Sequence, residues 1–381
     1  MKRDTFTSEV WTVELTARYL WGAIRPFVGK HLSKRCARCV LSERYTTLNA
    51  HGICAECEAY ESARPEPKTG QYQRFSAELH ELLVASSGKG GGNFDAIVLF
   101  SGGKDSSFML HRLLTEYPKL RLVTMLADNG LMSPYAMANA ANALERFDVT
   151  HWGIKLKPSF VKKVFHHALT SLDKQRGYSI VDTMDAYLTF DLARVLAARN
   201  DIPLVICGLS EVQTQNIFGL TNIYEFPREQ EIGPLQDRAG LGWDKVLTDE
   251  EMKFWFDGSQ WPEERVPRFL LPYCAWDLNE EFILDEVDRL GLIERRKSRP
   301  LMTNNRLIPV IGMAEVARFG YSSFEVEFAQ MVREGKSDRG YWLSIFEMLE
   351  YSTRTGRFIG KNVQETLHTL GLSKQDIGIH H

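Results

Sequence analysis

Long hydrophobic runs are missing from this 381-residue sequence. A helix needs roughly 20 consecutive apolar residues to cross a bilayer, whereas the longest apolar stretches here, Ile97 to Phe100, Leu120 to Ala127 and Pro203 to Gly208, are the size of buried strands. No membrane span is expected. The aromatic segment VWTVELTARYLWGAIRPFVG is broken by Glu14, Arg18 and Arg25, and no small-residue cleavage site follows it. That argues against a secretory signal and for a cytoplasmic protein. An excess of positive charge is missing too: 46 Lys and Arg against 49 Asp and Glu give a net charge of −3. Nucleic acids bind to basic faces that displace counterions, so tRNA is disfavoured as a partner. The two short basic runs, KLKPSFVKK and ERRKSR, read as solvated surface. Glycine and proline are too few for a fibrous or disordered chain. Cysteine is scarce outside one cluster: of six, four lie between Cys36 and Cys57, and the others are Cys207 and Cys274.

Composition shifts divide the chain. Residues 1–34 read as an amphipathic helix docked on the main body, with Trp11, Leu15, Leu20, Trp21 and Ile24 as candidate buried positions. Residues 35–62 hold the cysteine cluster. Residues 63–93 carry the linker-like SARPEPKTGQYQR and SSGKGGGN around a helix at Phe75–Ala85. From 94 to 278, short apolar runs alternate with helical periods. Strands are expected near 95–100, 120–127, 149–155, 203–208 and 269–274, and helices near 105–116, 134–147, 158–172 and 182–200. This alternation predicts an α/β fold with a doubly wound parallel sheet. The segment 212–268 is an irregular insertion rich in Trp, Gly and Pro, either a cap over a site or a satellite core around Trp243, Trp255, Phe256 and Trp261. Residues 279–381 read as a helical C-terminal region.

The first predicted strand, FDAIVLF, runs into SGGKDSS and then into a helix. Such a turn aims backbone N–H groups and the positive end of a helix dipole at one point, and glycine lets the main chain approach an anion there. The spacing is neither GxxxxGK[ST] nor GxGxxG. Asp105 suits a helix start as a cap, or a cation site. In the cysteine segment, two CxxC pairs separated by fourteen residues have the spacing of a closed tetrahedral zinc site formed by Cys36, Cys39, Cys54 and Cys57. Gly52 fits the turn into the second pair, and a structural ion is favoured over disulfides in a reducing compartment.

SGGKDSS after a buried strand resembles the PP-loop of the ATP pyrophosphatase superfamily, with its adenine nucleotide alpha hydrolase-like sheet. The resemblance implies cleavage of ATP between its α and β phosphates, with Mg²⁺. It implies that Ser101, Gly102, Gly103, Lys104, Asp105, Ser106 and Ser107 hold the phosphates, with Lys104, Asp105 and Ser106 as catalytic groups. The matching strand ends LADNG and ICGLSE make Asp128, Asn129, Gly208, Ser210 and Glu211 candidate nucleotide contacts. RCARCV and GICAECEAYE resemble the zinc ribbon of N-acetyl sugar amidotransferases of surface polysaccharide (lipopolysaccharide) biosynthesis. FAQMVREGKSDRGYWLSIFEMLEY resembles their closing helices. That resemblance implies adenylation of an acetamido oxygen on a sugar nucleotide, or another small-molecule acceptor, followed by displacement of AMP by ammonia. No GxCxG turn or N-terminal cysteine is present, so a separate glutaminase is implied. The N-terminal extension, the SERYTTLNAH loop and the Trp-rich insertion depart from the family pattern. The alternatives are a PP-loop sulfurtransferase acting on tRNA or a small molecule, relaying sulfur through Cys207 and Cys274, and a nucleotide-binding module without catalysis. TNNRLIPV and FGYSSFE are candidate acceptor-pocket segments.

Overall fold

Ala96, Ile97, Val98 and Leu99 are all buried, as a central parallel strand covered on both faces requires. In the computed structural model, which describes residues 5–63, 68–172, 179–219, 221–297, 301 and 305–380, this strand is the middle of a five-stranded parallel sheet. Its strands are β1 (Ala96–Leu99), β2 (Leu122–Asp128), β3 (His151–Lys155), β4 (Leu204–Ile206) and β5 (Arg268–Leu270), in the order β3-β2-β1-β4-β5. Register is fixed at the centre, where Val98 lies opposite both Thr124 and Ile206. All five strands stand where the apolar runs predicted. The order reverses between β1 and β4, and a ligand crevice forms beyond the carboxyl ends of strands at such a switch point.

The N-terminal segment docks on the body, as expected, but with a different inner face. Helices α1 (Thr5–Leu15) and α2 (Trp21–Val28) are joined by a π-helical turn, Thr16–Leu20. The wider turn breaks the 3.6-residue repeat. Trp21 therefore turns inward at 1% exposure, while Leu15 and Leu20, expected inside, are 48% and 53% exposed. The Trp21 Nε1–H donates to Glu347 at 2.8 Å, and the Tyr341 hydroxyl donates to Glu14 at 2.6 Å. The cysteine segment follows, with bridges Arg35↔Ser42 and Leu48↔Cys54, and leads into α3 (Ala55–Ala63). Gly52 takes φ +72° in the turn before the second pair. α4 (Thr69–Ser86) is longer than predicted and buries Leu79 and Leu83. The glycine-rich stretch after it is an ordered turn: the N–H groups of Gly88 and Gly90 each donate to the buried Asp95 carboxylate at 2.9 Å.

Helices α5 (Lys104–Glu116) and α6 (Pro134–Phe147) follow β1 and β2, α7 (Pro158–Thr170) and α8 (Ile180–Arg199) follow β3, and α9 (Glu211–Phe218) follows β4. Right-handed crossovers put α5 and α6 on one face and α7 and α8 on the other. The Trp-rich insertion packs on the body instead of capping a site, partly within the main core and partly as a small satellite cluster. Trp243 and Trp255 join the main core, and Phe256 packs with Ala198 and Val266. Arg238 ties this segment to α8 through Asp191 at 3.0 Å, and Asp191 also holds Arg194 at 2.8 Å. The helical C-terminal region comprises α10 (Glu280–Arg289), α11 (Ile308–Phe319), α12 (Phe324–Arg333), α13 (Arg339–Thr355) and α14 (Lys361–Leu370). The cysteine segment sits on α12 and α13. Arg35 is buried against Glu325 and Glu350 at 2.8 and 3.3 Å, and Arg339 donates to the carbonyls of Cys36 and Cys39 at 2.7 and 2.9 Å.

Candidate functional site

β1 releases the chain where the Phe100 N–H donates to the Met125 carbonyl at 2.8 Å, and SGGKDSS turns beneath it. Gly102 has φ +74°, and a Cβ on it would lie 2.1 Å from the Ala136 carbonyl oxygen, so only glycine fits. α5 begins at Gly103, which caps it without any side-chain hydrogen bond. The N–H groups of its first turn are thus left for a ligand. Asp105 is not the cap expected from its type. It lies inside the first turn, and both its oxygens accept from Lys104 Nζ, at 2.7 and 2.8 Å. Ser101 Oγ and Ser106 Oγ are 3.2 Å apart. Lys104 is buried, which alone would lower the pKa of its ammonium. Asp105, Glu280 (4.0 Å away) and Glu327 outweigh that and raise it, so the charge is kept.

A cavity of about 380 Å³ opens at the carboxyl ends of the strands. Of the expected contacts, Ser101, Gly103, Lys104, Asp105, Ser106, Asn129, Gly208 and Ser210 line it, whereas Gly102, Ser107, Asp128 and Glu211 do not. Each of the last two has another task. The Asp128 carboxylate accepts from the Gly130 N–H at 2.8 Å and shapes its own turn. Glu211 accepts from Lys68 and Tyr72, both at 2.9 Å, and from Lys336 at 3.3 Å. Burial opposes ionisation of Glu211, but the lysines and the tyrosine hydroxyl outweigh it and hold its pKa low. Ser210 caps α9 in a reciprocal box with Gln213, at 3.2 and 3.1 Å. From the candidate acceptor segments, Asn305, Ile308, Pro309 and Phe324 line the cavity. Thr303 and Asn304 lie outside the described residues.

The roof takes in part of both acceptor segments and extends beyond them to Phe328, Trp342, Ile345, Phe346 and Leu349. Beyond helix α9, the insertion contributes no lining residue among those described; α11, α12 and α13 close the cavity instead. The site also holds carboxylates the sequence reading missed: Asp182 and Asp185 on α8, Glu280 on α10 and Glu327 on α12. Asp185 accepts from the side-chain amides of Asn129 and Asn305, at 2.6 and 2.5 Å. Burial, reinforced by Asp182, pushes its carboxyl up to about 7. The signal for this pair is the three-residue spacing of the two acids near the start of α8, which puts both on one face. Cys207 lines the cavity and Cys274 does not. Burial pushes their thiols up to about 12 and about 11, far from the thiolate a sulfur relay needs.

The ligand atoms of Cys36, Cys39, Cys54 and Cys57 lie within 4.8 Å of one another. The Cys36–Cys57 and Cys39–Cys54 sulfurs are 3.8 and 3.6 Å apart. A single tetrahedral ion bonded to sulfur at about 2.3 Å separates its ligands by about 3.8 Å, so the four sulfurs fit one metal ion. An iron–sulfur cluster, whose thiolates sit on separate irons, spreads them wider.

The first crossover turn of the parallel sheet thus brings the amides of a helix start and a charged lysine to a cavity at the switch point. No protein-family model matches the chain. It is 32% identical over 118 residues to an uncharacterized protein of Methanocaldococcus jannaschii, a match that takes in 30% of this chain and only 40% of that protein. Among solved structures, it is similar to the NMN synthetase of Francisella tularensis, with 13% identity and a TM-score of 0.37, over 77% of this chain and 97% of that one. A tRNA thiolase of Methanococcus maripaludis with its 4Fe–4S cluster gives 12% identity and a TM-score of 0.37, covering 92% and 99%. An ammonia-dependent NAD synthetase of Campylobacter jejuni gives 10% and 0.34, covering 74% and 96%.

Proposed function

We propose that the protein is an ATP pyrophosphatase of the PP-loop type, an AMP-forming amidotransferase that acts on an acetamido or amide oxygen of a sugar nucleotide or related small molecule. The supporting observation is the turn itself: a glycine backbone pressed against α6, an uncapped helix start, and buried Lys104 facing the cavity. ATP lies with its outer phosphates on the turn. The acceptor oxygen attacks the α phosphorus, the bond to the bridging oxygen breaks, and pyrophosphate departs. The N–H groups of the turn, Ser101, Ser106 and Lys104 receive the charge that develops on it. Ammonia then adds to the activated carbon and loses its protons as AMP leaves with the acceptor oxygen, giving an amidino product. Asp105 and Glu280 would hold Mg²⁺, which would supply charge neutralisation for the phosphate oxygens. The four cysteines hold a structural zinc ion, a role that their sulfur spacing supports. A separate glutaminase supplies the ammonia, in the cytoplasm, for surface polysaccharide synthesis.

Nitrogen is favoured over sulfur by one observation: the two remaining cysteines do not both reach the cavity, and burial keeps each protonated. The test is formation of AMP and pyrophosphate from ATP with ammonia and N-acetylated sugar nucleotides. Lys104→Ala should lower that rate by at least about 10²-fold. ATP cleavage that ignores this substitution, or none with any acceptor, sinks the proposal.

A further inference from the structure

Asn129 follows β2 and Asn305 lies just ahead of α11, far apart in the sequence, yet the two make the same local turn. Each side-chain oxygen accepts from the backbone N–H two residues on: Asn129 from Leu131 at 2.8 Å, and Asn305 from Leu307 at 2.9 Å. Short polar side chains favour such turns. Both amide nitrogens are thereby committed as donors, since a flip would set NH₂ against a backbone N–H. The two turns also meet directly. Met132 bridges to Asn305 in antiparallel fashion, and the Arg306 N–H donates to the Leu131 carbonyl at 2.7 Å. Asp185 reaches in from α8 and takes one amide on each oxygen, Asn129 at 2.6 Å on Oδ1 and Asn305 at 2.5 Å on Oδ2. An ionised carboxylate accepts at both oxygens, which no amide can do. Asn129 and Asn305 are buried, and hydrogen bonds to a charged acceptor are strong and costly to leave unmade there. Both turns continue into the cavity wall, through Met132 on one side and Ile308 and Pro309 on the other.

We infer that Asp185 is a positioning residue: it ties the end of β2 to the segment that opens α11, and so fixes the wall along which the acceptor is aligned with ATP. The inference rests on the adenylation proposal for the places of the two substrates. It goes beyond that proposal in assigning the alignment to one side chain on α8. The carboxylate acts through Asn129 and Asn305 and needs no contact with the acceptor. Such an indirect role is consequential, because a misplacement of about 1 Å can cost about 10²-fold in rate. A reversal of polarity follows from the geometry. Asp185→Asn supplies one acceptor and one donor, so one of the two amides loses its partner and meets an N–H instead. Adding Asn305→Asp restores both ties with one of them reversed. The amide at 185 then accepts from Asn129 and donates to the carboxylate at 305, whose second oxygen still takes the Leu307 N–H. A loss made good by changing the partner reports a direct interaction.

The experiment uses the full chain at a pH of about 8, above the value of about 7 to which burial pushes the Asp185 carboxyl. It measures hydrogen exchange of the Leu131, Arg306 and Leu307 amides, and the KM values for ATP and for an N-acetylated sugar nucleotide in ammonia-dependent AMP formation. Asp185→Asn should speed exchange of these amides at least about tenfold. It should raise the acceptor KM at least about tenfold and leave the KM for ATP within about threefold. Asp185→Asn combined with Asn305→Asp should return both readouts to within about threefold of wild type. Should Asp185→Asn fail to fold, Asn305→Ala removes one tie without adding a charge and carries the same expectation. Wild-type exchange in Asp185→Asn, or an acceptor KM that does not move, overturns the inference. So does a double variant that recovers exchange but not AMP formation, which would put the Asp185 carboxylate on the substrate itself. No AMP from the wild type is a separate result: it removes the amidotransferase proposal and the acceptor half of this inference, and the exchange rates still decide whether Asp185 ties the two turns.

Discussion

Replacing Gly102 by alanine tests the phosphate turn against a control within the same chain. Gly102 and Gly130 both have left-handed backbone, φ +74° and +79°, and an alanine at either pays roughly 1–2 kcal/mol for that conformation. Their surroundings differ. At Gly130 nothing lies within 4 Å of an added Cβ, whereas at Gly102 it would stand 2.1 Å from the Ala136 oxygen, 2.8 Å from the Ala140 nitrogen and 2.9 Å from the Ala140 Cβ. Two of these atoms are backbone of α6, which cannot escape by rotating a side chain, so either the turn or the helix moves. Overpacking of this kind adds roughly 1–3 kcal/mol. Gly130→Ala should therefore cost about 1–2 kcal/mol in stability and leave nucleotide binding intact. Gly102→Ala should cost about 2–5 kcal/mol and, because the displaced amides no longer converge, weaken an ATP mimic by at least about tenfold. Denaturant titration and calorimetry on the two variants measure both quantities. Equal losses in the two variants, or wild-type nucleotide affinity in Gly102→Ala, would refute the argument from close packing.

Changing Cys207 and Cys274 together to serine should leave AMP formation within about threefold of wild type; its abolition would move the chemistry to sulfur. Arg339→Ala removes two charge-assisted hydrogen bonds to the carbonyls of Cys36 and Cys39, at about 1.5–3 kcal/mol each. It should speed zinc loss to a colorimetric chelator and lower the melting midpoint, and unchanged release would show that the ribbon does not depend on its seat. Asp185 has a folded pKa of about 7 against an ordinary 3.8. Its stabilising contribution is full below the ordinary value and is lost as pH rises through the folded one. Asp185→Asn should therefore lose less stability than wild type between pH values of about 4 and 7, which denaturation across that window measures; parallel curves would contradict it.

The strands and the turn could be read from the sequence because each is a local pattern: four buried apolar residues in a row, then two glycines and a lysine where a helix starts. The cysteine cluster was legible for the same reason, since two CxxC pairs constrain one another at short range. What escaped depended on long-range packing. Trp243 and Trp255 look alike whether they cap a cavity or fill the space beside α7, and only the tie from Arg238 to Asp191 decides. A regular helix puts Leu15 and Leu20 inside, and one π turn rotates them out. Phe328 and Trp342 carry the spacing of ordinary core residues, so nothing local marks them as cavity wall. Glu211 sits in the segment that meets the crevice, but two lysines and a tyrosine distant in sequence turn it aside.

The docking of the N-terminal segment on α13 also sets a timetable for synthesis. Ser33 waits for Glu350, 317 positions later, and Trp21 waits for Glu347, 326 positions later. At roughly 5–20 residues per second, that delay is about 15–60 s on the ribosome. The four thiols meanwhile have all their neighbours at hand and can capture an ion early, while Arg35 and Trp21 remain without their carboxylates. Helices α1 and α2 are thus made long before the helix that seats them, and without α13 they would have nowhere to settle.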